Sequence, residues 1–472
     1  MVPQGLLESI RLAAQMLKTH VDEGSLIRFV THNDADGLCS GGILALAAHR
    51  LGARFKISGE KRLDEELVGR VEGEDPDLVV FSDFGSGYLE LLSQLSKPTL
   101  VLDHHMAHGD KPPNVTHVNP LDHGVDGARE ISASGVAYMV ARELDAGNRD
   151  LAPLALVGAL GDQQDNGPMK TLTGLNKELE EEAKGNHLLE TQKGLVFYGY
   201  ETRPLAKAIA YTTTPYIPEL SGEEGNCLAF LREVGIETME AGRPRALRDL
   251  DEEEMTRLFS ALSKHMVSSG CDPESVHQLV GTIYTLKLEE PSTPLRGGRE
   301  FGSLLNACGR MGRPGVGLSI VMGDRGEALV EAEEAVAEYR RAIGAALDWA
   351  VSGEGLEEGG LVYVLRGGGQ VEEAVIGVVS GILLGQGILD RGKPIVGLAQ
   401  TEEGQVKVSA RTVPELAERG IHLGTLIQKA AENVGGDGGG HDIAAGAYLP
   451  VGTEEEFIEA FEELLAQAIN QG

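Results

Sequence analysis

Four short segments of this 472-residue sequence concentrate the residue types that bind divalent cations. They are His32-Asn33-Asp34-Ala35-Asp36-Gly37, Ser82-Asp83-Phe84-Gly85, Asp103-His104-His105 and Gly161-Asp162-Gln163-Gln164-Asp165. Carboxylates together with imidazoles suit hard, hydrated divalent ions, and two such ions can activate water for attack on phosphorus. The sequence therefore predicts metal-dependent chemistry before it indicates a fold.

These segments need a scaffold that brings them together, and the pattern between residues 24 and 102 predicts one. Short β-rich runs at 26–30, 77–81 and 99–102 alternate with helical runs at 38–51 and 89–95. Strands that alternate with helices predict a parallel sheet, and such sheets bind ligands at the carboxyl ends of their strands. Three of the four segments follow strands directly, so we expect them to converge at one edge of one sheet.

The chain length predicts more than one domain, because domains usually hold ~100 to 200 residues. The β/α pattern and two further helices, at 132–144 and 151–160, predict an N-terminal α/β domain. Acidic helical stretches with Pro-rich punctuation then predict a mostly helical insert, and a long helical run leads to a second α/β region. The predicted boundaries are 1–190 for the first domain, 191–325 for the insert, 326–354 for the connecting helix and linker, and 355–472 for the last domain.

Some of the acidic segments also have a plainer interpretation. The first is typical of a turn that caps a helix, and Asp83 is typical of a simple N-cap. Consecutive histidines at a buried strand end are harder to explain in this way, and imidazole with carboxylate favours Mn²⁺, Zn²⁺ or Fe²⁺ over Ca²⁺. Asp162 and Asp165, flanked by Gly161 and Gly167, complete a set whose joint occurrence favours metal binding.

Two segments of the last domain predict anion binding. The glycine-rich run 435–440, with His441 directly after it, offers backbone N–H groups at a predicted helix start, although a linker is the plainer alternative. Ser409 and Arg411 lie at the end of a predicted strand, where a guanidinium can hold a phosphate through two hydrogen bonds. The last domain is therefore a candidate for substrate binding.

The composition and the absence of several motifs exclude some classes of protein. The formal net charge of −32 opposes a broad basic footprint for nucleic acid, so any polyanion site must be local. The sequence has no P-loop, no G-x-S-x-G elbow and no C-x-x-C pair, and its longest uncharged stretch falls short of the ~20 apolar residues of a membrane span. Four widely separated cysteines favour reduced thiols and a cytoplasmic location.

The four segments, in this order and at these spacings, resemble the DHH phosphoesterase superfamily, to which the third gives its name. The run Gly438-Gly439-Gly440-His441 to Gly446 resembles the signature of the family's C-terminal DHH-associated domain. The length and the His-Asn-Asp-Ala-Asp-Gly form are most similar to archaeal RecJ-like nucleases, including the GINS-associated nuclease. Unlike bacterial RecJ, the sequence has His32 where those proteins have Asp, and it shows no all-β region comparable to their OB-fold.

The resemblance implies a site for two Mn²⁺ ions, with Mg²⁺ as an alternative. His32, Asp34 and Asp83 would hold one ion, while Asp36, Asp83, His104 and Asp162 would hold the other. His105 would face the scissile phosphate, and Asp103 would orient the imidazoles beside it. Ser409, Arg411, Gly439, Gly440 and His441 would bind substrate phosphate from across an interdomain cleft.

The leading hypothesis is a single-strand-specific exonuclease of DNA, and of RNA as a second substrate, with a role in DNA replication or repair. One alternative is a phosphoesterase of small substrates, such as short oligoribonucleotides, cyclic dinucleotides or pyrophosphate. Another is a replication scaffold that binds GINS through the helical insert. Family members that lost catalysis also lost the metal-binding motifs, whereas every motif is intact here.

Overall fold

The computed structural model describes residues 2–212, 215–271, 273–385, 389–401 and 403–471. The chain forms two compact units, Met1–Val336 and Ala337–Gly472, and each unit has its own hydrophobic core. None of the helices among the described residues is long and apolar enough to cross a membrane. The predicted class is confirmed: a parallel-sheet N-terminal domain, a helical insert and a C-terminal α/β domain.

A five-stranded parallel sheet organises the first unit. Its strands are β1 (Leu26–His32), β2 (Arg54–Glu60), β3 (Leu78–Ser82), β4 (Thr99–Leu102) and β5 (Val115–Val118), in the order β2-β1-β3-β4-β5. Every residue of β3 and β4 is buried, as expected for central strands that are covered on both faces. Because β1, β3 and β4 are neighbours and parallel, the segments that follow them emerge at the same edge of the sheet.

Helices cover this sheet and carry the fourth segment. They are α1 (Gln4–Asp22), α2 (Ala35–Arg50), α3 (Glu65–Gly73), α4 (Leu89–Leu92), α5 (Ala133–Leu144), α6 (Ala152–Gly161) and α7 (Gly174–Gly185). The helices α2, α5 and α6 pack against one another and are almost wholly buried, which explains their near-continuous apolar sequence. Asp162 therefore follows directly after the last residue of a buried helix, α6.

The insert has a small core of its own, which is separate from the core of the sheet. It contains β6 (Leu189–Leu195), α8 (Leu205–Ala210), α9 (Glu224–Val234), β7 (Met239–Glu240), β8 (Arg243–Pro244), α10 (Glu252–Ser268), α11 (Pro273–His277) and β9 (Val280–Leu286). The strands β6 and β9 pair antiparallel, so the chain enters and leaves the insert side by side. Three helices follow: α12 (Gly298–Arg310), α13 (Pro314–Val321) and α14 (Glu327–Val351).

A buried carboxyl group joins α12 to the insert. Glu300 Oε1 accepts the backbone N–H of Glu201 at 2.9 Å, and its Oε2 accepts the hydroxyl of Thr202 at 3.3 Å. Burial, reinforced by repulsion from Glu201, raises the pKa of Glu300 to about 7 from a usual 4.5. The folded chain therefore retains a proton on Glu300 that the unfolded chain has lost between these two pH values.

Glu300→Gln is expected to stabilise the protein at pH 8 and to leave its stability at pH 5 nearly unchanged. Stability from a raised carboxyl pKa is complete below the unfolded value and is lost as pH rises through the folded value. Glutamine keeps the acceptor for Glu201 and carries no charge, so the free energy of unfolding should rise on the order of 2 to 3 kcal/mol at pH 8. Urea unfolding at both pH values measures it; an equal effect at pH 5 and pH 8 would refute the assignment.

The second unit contains a mixed six-stranded sheet, in the order β10-β11-β12-β13-β15-β14. Its elements are β10 (Leu356–Glu358), β11 (Tyr363–Gly368), α15 (Glu373–Gly385), β12 (Ile395–Gln400), β13 (Gln405–Arg411), α16 (Pro414–Ala417), α17 (Leu423–Asn433), β14 (Asp437–Gly440), β15 (Ala444–Pro450) and α18 (Glu454–Gln471). The prediction of a helix start after the glycine-rich run is wrong. That run forms the edge strand β14, because its backbone pairs with β15 and glycine lets β14 approach its neighbours closely.

Candidate metal centre

The first segment places two carboxylates and one imidazole around the start of α2. His32 ends β1, and Asp34 is the N-cap of α2, where its Oδ1 accepts the backbone N–H of Gly37 at 3.0 Å. Asp34 thus has both the capping role of the plainer interpretation and a second oxygen, Oδ2, which lies 2.9 Å from His32 Nδ1. Gly37 is required because a Cβ there would overlap the carbonyl of His32.

Asp83 lies at the centre of the site. It follows β3 with a backbone φ of 65°, a left-handed conformation that costs a non-glycine residue roughly 1–3 kcal/mol. Its side chain is 1% exposed, with Oδ2 at 3.5 Å from His32 Nδ1 and Oδ1 at 3.2 Å from His104 Nε2. The strained backbone thereby places one carboxylate between two imidazoles.

His104 directs one ring nitrogen into the site. Its Nδ1 donates to the carbonyl of Gly127 at 2.6 Å, which fixes the ring and leaves the lone pair of Nε2 for a cation. Besides Asp83, Nε2 faces Oδ2 of Asp36 at 3.8 Å and Oδ2 of Asp162 at 3.9 Å. Burial opposes protonation of this ring, yet Asp83 and Asp162 raise the pKa of His104 well above its ordinary value.

Asp36 is anchored by the start of a helix. Its Oδ2 accepts the backbone N–H of Ala133 at 2.7 Å, and its Oδ1 accepts that of Ser134 at 3.0 Å. Both donors belong to the first turn of α5, whose unpaired N–H groups favour negative charge. Asp36 is therefore held in one orientation although it is almost completely buried.

Gly158→Ala is expected to disturb this anchor. A Cβ at Gly158 in α6 would lie 2.5 Å from Asp36 Oδ1 and would overlap the hydroxyl of Ser134. Overpacking should destabilise the fold by about 1–3 kcal/mol, and displacement of the carboxylate should lower metal-dependent activity by roughly 10²-fold. Gly69→Ala in α3 is the matched control, because its Cβ meets open space and a helical alanine is favourable. Equal effects of the two substitutions on activity would contradict the prediction.

Amide side chains position the fourth segment. Gln164 Nε2 donates to Asp162 Oδ2 at 2.9 Å and to the same Gly127 carbonyl that binds His104, at 2.8 Å. Asn176 Nδ2 in turn donates to Gln164 Oε1 at 2.7 Å. Gln164 and Asn176 are fully buried, so this network links Asp162 to His104 rigidly. Neither amide was predicted from sequence to have a role, although the position of Gln164 between Asp162 and Asp165 was an available signal.

Asp103 orients the histidine pair through one carboxylate oxygen and is itself anchored through the other. Its Oδ1 accepts the backbone N–H groups of His104 and His105 at 2.8 and 3.2 Å and lies 2.8 Å from His105 Nδ1, while its Oδ2 accepts the N–H of Ser86 at 2.9 Å. Although burial opposes it, hydrogen bonding to His105 keeps the pKa of Asp103 below its usual range. The His105 side chain is 45% exposed, so its Nε2 edge remains open to a ligand.

Asp165 has a structural role. Arg299 Nε donates to Asp165 Oδ2 at 2.8 Å, and the same guanidinium lies over the ring of Tyr284 at 5.3 Å. This ion pair joins the loop after α6 to the first turn of α12. Asp165 therefore pairs with Arg299, whereas Asp162, three residues before it, faces His104 in the site.

The arrangement has the ligand types and the spacing of a divalent-cation site. Among the described residues, four buried atoms of the site have no hydrogen-bond partner: His32 Nδ1, Asp83 Oδ1, Asp83 Oδ2 and His104 Nε2. Ligand atoms of His32, Asp34 and Asp83 lie within 4.8 Å of one another, as do those of Asp36, His104 and Asp162. Buried polar atoms without partners are costly, and a cation would satisfy all four.

The electrostatics agree with this fit. Burial, with repulsion from Asp34 and Asp36, raises the pKa of Asp83 to about 7. Burial likewise raises the pKa of Asp162 to about 6, against the attraction of His104. The buried carboxylates therefore repel one another when they are ionised. A bound cation would relieve that repulsion.

The remaining predicted residues lie together on the sheet of the second unit. Ser409 and Arg411 share one face of β13, and Ser409 pairs across the sheet with Gly446 of β15. Gly446 pairs in turn with Gly439 of β14, so the residues beside Ser409 in the next two strands have no side chains. His441 follows β14 directly, and its backbone N–H donates to the carbonyl of Ala444 at 2.8 Å.

Comparison with known proteins relates this chain to proteins that contain DHH domains. Three domain families match this sequence: the DHH family N-terminal domain over residues 26–159, the DHH-CID domain over 197–280 and the DHHA1 domain over 360–467. An uncharacterized protein of Methanocaldococcus jannaschii is 32% identical over 457 residues, which cover 94% of this chain and 94% of that protein.

Two solved structures share the fold. RecJ from Thermus thermophilus, in complex with Mn²⁺, has a TM-score of 0.60 at 19% identity, over 99% of this chain and 55% of that one. The chain thus spans about half the length of that RecJ. CDC45 from Entamoeba histolytica has a TM-score of 0.65 at 12% identity, over 97% of this chain and 98% of that one.

Proposed function

We propose that this chain, which belongs to the DHH phosphoesterase superfamily, is a metal-dependent exonuclease specific for single-stranded nucleic acid. The observation that carries the proposal is the carboxylate of Asp83, buried without a hydrogen-bond partner among the described residues and placed between His32 and His104. A carboxylate in that position can bridge two cations, and two-cation sites serve phosphodiester hydrolysis. The exonuclease RecJ, whose fold this chain shares, has been crystallised with manganese.

We assign the ligands as the resemblance to the DHH superfamily implies. His32, Asp34 and Asp83 would hold one ion, and Asp36, Asp83, His104 and Asp162 the other. Nitrogen and oxygen ligands in this mixture favour Mn²⁺ over Ca²⁺, with Mg²⁺ as the alternative. When bound, the two ions would lower the pKa of water and stabilise the attacking and leaving oxygens of phosphate.

His105 supplies a proton-bearing group beside these ligands. Partial burial and the neighbouring His104 oppose its protonation, yet the hydrogen bond from its Nδ1 to Asp103 raises the pKa of His105. Asp103 thereby fixes the ring with Nε2–H facing outward, where it can donate to an oxygen of the scissile phosphate. Charge that develops on that oxygen would be stabilised by a donor already in place.

The second unit would bind the strand through its phosphates. Ser409, Arg411 and His441 offer donors, and Gly439 and Gly440 offer backbone without side chains, in a chain whose net charge is −32. Local donors are therefore needed to bind a polyanion. With 4% aromatic residues, extensive base stacking is a weaker source of affinity.

A polarity assay tests the proposal. Long single-stranded DNA and RNA, labelled at one end and blocked at each end in turn, are incubated with Mn²⁺. We expect stepwise shortening that one of the two blocks abolishes, and no digestion of the matching duplex. Cutting of strands blocked at both ends would contradict exonuclease action, and cutting confined to very short fragments or pyrophosphate would favour the small-substrate phosphoesterase.

A scaffold role is the second candidate, in which the insert binds the GINS complex. The likeness to CDC45 over nearly the full length of both chains favours it, although that likeness shows the fold alone. Binding and catalysis are compatible, because the insert has a core of its own. We expect the immobilised chain to retain GINS, and we expect deletion of residues 197–280 to abolish that retention. If the intact chain retained no GINS, this role would be excluded.

A further inference from the structure

Helix α12 contacts both halves of the metal centre, although it lies far from them in sequence. It packs against α2, whose start carries the first segment, and against α6, whose end carries the fourth. The helices α12 and α6 approach closely because Gly302 lies against Gly161. At the other end of α12, the carbonyl of Gly309 accepts a hydrogen bond from the side-chain amide of Asn33 at 3.1 Å. The helix is thus in direct contact with the backbone of two ligand-bearing segments.

One side chain of α12 connects these two segments. Asn306 Oδ1 accepts the backbone N–H of Ala35 at 2.9 Å, and Asn306 Nδ2 donates to the carbonyl of Gly161 at 3.1 Å. Ala35 lies between Asp34 and Asp36, and Gly161 directly precedes Asp162. A single amide therefore joins the carboxylates of the first segment to the carboxylate of the fourth.

The two groups that Asn306 binds are those that a helix leaves unpaired at its ends. Ala35 is the first residue of α2, whose early N–H groups have no partner within the helix, and Gly161 is the last of α6, whose final carbonyls have none. Only an amide offers one acceptor and two donors in one plane. Alanine or leucine at this position would leave both groups without their side-chain partner.

We propose that Asn306 is a positioning residue that fixes Asp34 and Asp36 relative to Asp162 and so sets the affinity of the centre for divalent cations. The inference rests on the proposed function, since it concerns the same ligands. The ion assigned to Asp36, Asp83, His104 and Asp162 depends most on it, because its ligands come from both joined segments. The ion assigned to His32, Asp34 and Asp83 draws ligands from only one of them.

Titration of the metal-free, full-length chain with Mn²⁺, followed by the electron paramagnetic resonance of free Mn²⁺, tests this role. Partners that orient metal ligands typically contribute 10- to 100-fold in affinity, so we expect one of the two Mn²⁺ affinities to fall by about that factor in Asn306→Ala. Asn306→Leu keeps the number and branching of the side-chain heavy atoms and should give the same loss. Activity of both variants should recover largely at saturating Mn²⁺.

Asn148→Ala is the matched control. Asn148 is buried, with its Nδ2 donating to the carbonyl of Ala141 at 2.8 Å, and it lies in a short 3₁₀ helix, Ala146–Leu151, away from the four segments. We expect it to lower thermal stability and leave both Mn²⁺ affinities unchanged. Wild-type affinities in the two Asn306 variants, or an equal loss in Asn148→Ala, would overturn the positioning role. A wild-type chain that binds no Mn²⁺ would overturn the proposed function, and this role with it.

Discussion

Asp83→Asn is expected to lower Mn²⁺-dependent cleavage of single-stranded DNA by about 10³-fold or more. The amide removes the negative charge that two cations would share, and such a loss costs several kcal/mol of transition-state stabilisation, with each ~1.4 kcal/mol equal to tenfold in rate. Asparagine has nearly the same shape, so the strained backbone at this position needs no new accommodation. The measurement is the initial rate on a labelled strand, together with the number of Mn²⁺ ions bound.

Asp165→Asn is the control for this substitution. Its carboxylate also lies in the segment after α6, but it pairs with Arg299 and not with the metal ligands. Loss of that ion pair should affect stability more than rate, and Mn²⁺ binding should be unchanged. If Asp83→Asn retained the wild-type rate, the bridging assignment would be wrong.

His105→Ala is expected to lower kcat by roughly 10²- to 10⁴-fold without loss of Mn²⁺ binding. His105 is bound to Asp103 through Nδ1 and exposes its other edge, so it is assigned to the substrate and not to the cations. Substitutions at His105 and at Asp83 thus separate the role of substrate contact from the role of metal binding. Single-turnover rates and Mn²⁺ titration on the same preparation measure both quantities.

His108→Ala provides the matched comparison, because His108 is exposed and lies three residues further along the same loop. It should leave kcat unchanged. A loss of Mn²⁺ affinity in His105→Ala equal to that of His104→Ala would instead make His105 a ligand, and the assignment of its role would fail.

The sheet edge could be predicted from sequence because the parallel pattern alone determines where strand ends meet. Runs such as β3 and β4 are short, apolar and buried on both faces, and each is followed at once by an acidic residue. The edge strand β2 was not predicted, since its residues Arg54–Glu60 are largely polar and only partly buried. The strand β14 was missed for a related reason, because glycine carries no strand signal without its neighbour β15.

The carboxylates and imidazoles of the site could be predicted by residue type, whereas the groups that hold them could not. Gln164 and Asn306 are ordinary amides, and their importance comes only from contacts that the fold creates. Asn306 is 271 positions from Ala35 in the sequence, so no local pattern relates the two. Gly158 is similar, because the need for a residue without a side chain arises only when Asp36 lies beside it.

Crystals soaked in Mn²⁺ and measured at the manganese absorption edge test whether Asp83 is shared by two cations. We expect two peaks of anomalous density, both in contact with Asp83. One should contact His32 and Asp34, and the other should contact Asp36, His104 and Asp162. A single peak, or peaks that do not contact Asp83, would contradict the two-cation site from which the proposed function follows.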